Sequence, residues 1–123
     1  MNNNIDNKEL EGSIADLIVE AWRFSRAFRD ILSKLGKDDY VRFKGRYSWF
    51  CRRLEEISGT MGMRIVEIAP ETSYDPGMAV TPINITDFGA DDSLQIENML
   101  EPVIMNGDSV IKTGTVMLRS VDK

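Results

Sequence analysis

Residues 35–40, Leu35-Gly36-Lys37-Asp38-Asp39-Tyr40, stand between two apolar heptad series. Upstream run Ile14, Leu17, Ala21, Phe24, Phe28, Ile31 and Leu35; downstream run Tyr40, Phe43, Tyr47, Phe50, Leu54, Ile57 and Met61. Each series advances by alternating steps of three and four, which keeps an apolar seam on one side of a helix. Only Gly36-Lys37-Asp38-Asp39 separates them, so the pattern predicts a helical hairpin over residues 13–62. Gly36 suits the C-cap of the first helix and the aspartates suit the N-cap of the second. Ser13 with Asp16 resembles a capping box opening the first helix, which leaves residues 1–12 as a disordered tail.

A two-helix hairpin has no closed core, and Ile18, Trp22 and Leu32 widen the first stripe beyond its seam. A second copy would cover it. The expected assembly is a homodimer built on a four-helix bundle, with Leu17, Phe24, Phe28, Ile31, Phe43, Tyr47, Phe50 and Leu54 at the interface.

Downstream of Gly59-Thr60-Met61-Gly62 the period changes from helical to short β-type runs. The predicted strands are Met63–Ile68, Met78–Ile85, Leu94–Met105, Val110–Lys112 and Thr115–Arg119. Tyr74-Asp75-Pro76-Gly77 has turn chemistry. Asn106-Gly107 between apolar runs is a strong hairpin signal. Pro82 and Pro102 place edges or interruptions in their strands, because proline cannot donate to a ladder. The fold class is therefore α+β: a helical hairpin followed over residues 63–121 by a small antiparallel β module.

The 123 residues are 42% hydrophobic, enough for one domain or two small layers. No apolar run approaches the ~20 residues that span a bilayer, and the Asn-rich start lacks the regions of a signal peptide. The expected location is the cytoplasm, with no membrane partner. Charge divides unevenly, +1 over residues 1–63 and −6 over 64–123. Ten of the 15 basic residues fall between Arg23 and Arg53, interleaved with aromatics. Basic residues beside aromatics can bind nucleic acid, but Tyr40, Phe43, Tyr47 and Phe50 lie on the seam, which points to core. The basic face is read as solvated or partner-facing, not as a nucleic-acid site. Gly45 either weakens a helix interior or permits a close helix approach.

Chemistry for catalysis is sparse. Histidine is absent, and the lone Cys51 can form neither an internal disulfide nor a Cys-His pair. Asp87, Asp91 and Asp92 carry hard oxygen donors, yet Phe88-Gly89-Ala90 interrupts them and their spacing is not that of an EF-hand. The expectation is a non-enzymatic protein with no metal and no cofactor.

Met63-Arg64-Ile65-Val66-Glu67-Ile68, the later Asp75-Pro76, and Gly107-Asp108-Ser109-Val110-Ile111-Lys112-Thr113-Gly114-Thr115-Val116-Met117-Leu118 carry a resemblance. Together they resemble the C-terminal β domain of GrpE proteins, the nucleotide exchange factors of DnaK-type chaperones. The family's ending, Gly-Asp-Arg-Val-Leu-Arg-Pro-Ala followed by alternating valines, falls on Gly107 to Leu118 without a gap. Trp22 to Phe28 is similar to the first short helix of the family's dimeric bundle, and Phe50 to Met63 to the second. This chain departs where Met78-Ala79 replaces a histidine, Ser109 and Lys112 replace arginines, and Thr113-Gly114 replaces Pro-Ala. About a dozen residues stand where the family carries a long paired helix, so it resembles a shortened, divergent relative.

The resemblance implies a partner, a DnaK-type ATPase, and a mechanism in which the β module wedges that ATPase's cleft open. It places Met99, Ser109 and Lys112 on the contact surface, with Met78 and Asp108 beside them. Met78 and Met99 have a competing reading as ordinary sheet core, given their alternation in β-type runs. The alternative function is a dimeric adaptor without exchange activity, contacting a partner or nucleic acid through the basic helix face.

Overall fold

The structure, a computed structural model, describes residues 6–121. It is α+β and divides into two compact units, one ending at Arg64 and one beginning at Ile65.

The first unit is a pair of helices, α1 (Asn7–Leu32) and α2 (Lys37–Thr60). Helix α1 starts six residues before Ser13. Its N-cap is Asp6, whose carboxylate accepts from the Glu9 amide at 2.7 Å, so Ser13 lies inside the helix and opens nothing. Of the expected tail, residues from Asn7 onward are helical, and residues 1–5 lie outside the described residues. Gly36 is also reassigned: α1 ends at Leu32 with Ser33 as its C-cap, and Gly36 is the N-cap of α2, its backbone extended with ψ 165°. Asp38 and Asp39 occupy the first turn of α2, where negative charge complements the helix dipole. Gly62, at φ 76°, ends α2 in a left-handed conformation that glycine adopts without penalty.

The buried stripe of α1 is not the heptad seam. Ala15, Ile18, Val19, Trp22, Ser25 and Leu32 are buried, while the seam residues Leu17, Phe24 and Ile31 are 70%, 68% and 55% exposed. The residues that widened the sequence pattern thus form the inward face. Between the helices, Phe28 stacks on Tyr47 with ring centroids 6.4 Å apart, and Arg26 donates to the Tyr47 hydroxyl at 3.2 Å.

The second unit holds two three-stranded sheets, counting β1 (Met63–Val66), which begins two residues before the unit boundary. The others are β2 (Val80–Pro82), β3 (Leu94–Glu101), β4 (Val103–Asn106), β5 (Ser109–Lys112) and β6 (Gly114–Ser120). One sheet has the order β1-β4-β5 and the other β2-β6-β3. The module is mixed rather than antiparallel, since β2 pairs with β6 in parallel. Both prolines act as expected: Pro82 ends an edge strand, and Pro102 divides the predicted Leu94–Met105 run into β3 and β4. The long Met78–Ile85 run yields only three strand residues, followed by a 3₁₀ turn at Ile85–Asp87. Beyond Pro82 the ladder continues through Asn84, whose side-chain amide donates to the Leu118 carbonyl and accepts from the Leu118 amide, both at 2.9 Å. Val80, Ile96, Val103, Val116 and Leu118 form the core of this unit.

Candidate functional site

The hairpin of β4 and β5 is built by its turn. Asn106 pairs with Ser109, so the two loop residues are Gly107 and Asp108, one position later than the Asn-Gly signal suggests. Gly107 has φ 60°, and Asp108 is not at positive φ. A positive φ at the first loop position alone is the requirement of a type II′ turn, which glycine meets and which matches strand twist. This tip presents Asp108, Ser109 and Val110 to solvent, Val110 with 45% exposure, and Lys112 follows half-buried at the end of β5. Strand β5 is the edge of its sheet. The alternation of Val110 marks it as a strand residue without saying which face is covered.

The two methionines sit elsewhere. Met99 lies in β3 and packs against the core of the β2-β6-β3 sheet, with its sulfur accepting from the Ile68 amide at 3.2 Å. Its methyl group fills the space over Gly114: a Cβ there would stand 2.8 Å from Met99 Cε and 2.8 Å from the Glu101 carbonyl oxygen. Glycine at position 114 is thus matched to a methionine on the neighbouring strand. Met78 also packs on this core, its sulfur accepting from the Asp75 amide at 3.3 Å in the turn closed by Met78 N–H to Asp75 C=O. Of the five residues assigned to a contact surface, Asp108, Ser109 and Lys112 therefore share one hairpin, while Met78 and Met99 support the sheet core.

The residues assigned to the dimer interface form two rows on the helical unit. Leu17, Phe24, Ile31 and Phe50 are exposed, and Phe28, Phe43, Tyr47 and Leu54 are half-buried. Phe24, Phe28, Tyr47 and Phe50 line a shallow apolar pocket of about 170 Å³ with Arg46 at its rim. Burial and a hydrogen bond with Cys51 raise the Tyr47 pKa, and the charges of Arg26 and Arg29 partly oppose this. A larger open groove of about 750 Å³ lies in the β unit, lined by Tyr74, Pro76, Ile85, Phe88, Leu94 and Val121.

Among the described residues no group of three or more Cys, Asp or Glu could hold a metal ion, and Asp92 is used locally to accept from the Gly89 amide at 2.8 Å. No helix among them is long and apolar enough to cross a membrane. No family model, curated protein or solved structure matches the chain.

Proposed function

We propose that this protein is a GrpE-like co-chaperone that promotes nucleotide release from a DnaK-type ATPase, acting as a homodimer braced by its helical hairpins. The observation that carries the reading is the placement of the Gly107–Leu118 stretch. It supplies the exposed β4–β5 turn, the edge strand β5 and the buried strand β6 in succession. A rigid sheet thereby supports a small polar tip with one exposed apolar residue, a suitable shape for pressing between two lobes.

Such a factor needs no catalytic residue. Nucleotide leaves when the ATPase cleft opens, and a protein that binds the open form better shifts that equilibrium. A thousandfold acceleration drawn from this preference corresponds to about 4 kcal/mol of differential binding. The tip residues Asp108, Ser109, Val110 and Lys112 would supply the contact, and Met99 and Met78 would act from beneath by holding the sheet. The exposed seam on α1 and α2 is the surface that a second copy would cover.

The decisive experiment is release of labelled ADP from the cognate DnaK-type ATPase. Acceleration by this protein supports the reading. Binding to the ATPase with an unchanged release rate would leave an adaptor in its place.

A further inference from the structure

The open groove of the β unit contains none of the residues assigned to exchange or to the dimer seam. It is preformed. Tyr74, Phe88 and Leu94 line it while packing against the buried cluster around Ile96 and Val116, so the core fixes their positions. Backbone hydrogen bonds tie the lining segments together, from the Tyr74 amide to the Leu94 carbonyl and from the Val121 amide to the Ser93 carbonyl, both at 2.9 Å. The loop that contributes Phe88 is closed by the Gly89 amide donating to the Asp92 carboxylate at 2.8 Å. Ile85 and Val121 nevertheless stay 42% and 40% exposed, so the groove offers apolar surface that the fold leaves uncovered. Its volume of about 750 Å³ falls in the range of ligand sites.

The charge along this groove has one sign. Between Arg64 and Lys112 the chain has nine acidic residues and no basic one. Asp92 lines the groove itself, and Asp75, Asp87 and Asp91 each adjoin a lining residue in the chain. All four are exposed, and among the described residues none of them is ion-paired. The nearest cation in sequence to a described lining residue, Arg119 before Val121, is engaged by Glu71 at 3.3 Å. The negative charge is therefore uncompensated within the fold.

We propose that this groove binds a short cationic peptide segment of a partner protein, its apolar side chains seated on Tyr74, Ile85 and Phe88 and its lysines or arginines facing the carboxylates. Apolar burial supplies affinity, and the carboxylates select the sign of charge. Nucleic acid and anionic membranes are repelled by the same charges. A bare metal ion finds no group of three or more ligating side chains among the described residues.

The probe is a capped, dye-labelled heptapeptide alternating lysine and leucine, titrated with the full chain and read by fluorescence anisotropy. It should bind in the micromolar range and move the amide NMR signals of Ser73, Gly89 and Ser93. The same peptide with glutamates for lysines should not bind, and serines for leucines should weaken binding at least tenfold. Asp87→Asn with Asp91→Asn and Asp92→Asn should also weaken it at least tenfold; asparagine at 92 keeps an acceptor for the Gly89 amide. Ile85→Ser, at an exposed position, should weaken it without lowering the melting temperature. Asp30→Asn with Asp38→Asn and Glu55→Gln removes the same charge from the helical unit and should leave binding unchanged. Absent binding, an equal loss in the remote triple variant, equal affinity for the serine peptide, or unmoved groove amides would each overturn the proposal. Displacement of the peptide by Nα-acetyl-lysine amide at similar concentration would replace the peptide with a small amine, and loss of dimer mass in the groove triple variant would make a second copy the occupant.

Discussion

Asn84 holds both main-chain hydrogen-bonding groups of Leu118, donating to its carbonyl and accepting from its amide at 2.9 Å each. The side-chain amide stands in for a strand residue at the point where Pro82 has ended β2, so β6 keeps a partner on that side although the chain has turned away. Leu118 is 1% exposed, and its backbone has little access to replacement water.

Asn84→Ala should therefore cost about 2–3 kcal/mol, since two partly buried backbone groups lose their partners. Asn84→Asp should cost more at neutral pH. A carboxylate still accepts from the Leu118 amide but faces the Leu118 carbonyl without a proton to donate. Lowering the pH protonates that carboxyl and restores a donor, so urea midpoints for Asn84→Asp should approach wild type in acid, whereas those for Asn84→Ala should stay low.

The dimer is tested most cleanly at Phe24. Phe28 is half-buried and stacked on Tyr47, so a charge there would damage the hairpin as well as any interface. Phe24 is 68% exposed in the single chain and can carry a carboxylate without burying it. Phe24→Asp should leave helical content unchanged and convert a dimer into a monomer by light scattering, because the charge would be desolvated only on association. Dimer mass retained in Phe24→Asp would place the interface elsewhere, and a monomeric wild type at high micromolar concentration would remove the bundle altogether.

Tyr47 makes a pH prediction. Burial, followed by the hydrogen bond with Cys51, raises its hydroxyl pKa above the ordinary phenol value. Below the unfolded value of about 10 the hydroxyl is neutral in both states. Above it the unfolded chain releases its proton first, so the stability that this group contributes is lost as pH rises through the folded pKa. Wild type and Tyr47→Phe should therefore show parallel urea midpoints from pH 7 to about 9.5 and converge above pH 10. Parallel curves throughout would mean that Tyr47 titrates as an ordinary tyrosine.

Much of this fold was legible in the sequence, and the reasons are physical. The heptad steps around Gly36, the turn at Asp75-Pro76-Gly77 and the breaks at Pro82 and Pro102 are local signals with local causes. What stayed hidden depended on contacts between distant segments. The start of α1 at Asn7 rests on an Asp6 cap that competes with an equally plausible one at Ser13. The parallel pairing of β2 with β6 leaves no mark on a three-residue strand. The division of the contact residues had the same origin, since alternation places Met99 and Val110 in strands without telling which sheet covers them. Only the three-dimensional packing, with Met99 over Gly114 and Met78 against the same cluster, shows that both methionines serve the core.

That division changes which variants can test exchange. Met99→Ala would open a void beside Gly114 and cost stability, so lost activity in that variant would say little about contact with the ATPase. Ser109 and Val110 are exposed and Lys112 is half-buried, all on edge strand β5, so substitutions there disturb less packing. Ser109→Glu together with Lys112→Glu should reduce accelerated ADP release at least tenfold if the tip makes the proposed contact, because a new negative charge at 109 and a reversed one at 112 would turn an attractive surface into a repulsive one. Val110→Ala should reduce it further by removing the tip's exposed apolar side chain. Melting temperature and dimer mass should stay near wild type in all of these variants. Met99→Ala should instead lower the melting temperature, and any loss of its activity should be recovered at lower temperature. Normal release rates in Ser109→Glu/Lys112→Glu, measured with the fold and dimer intact, would remove the β4–β5 tip from the contact surface.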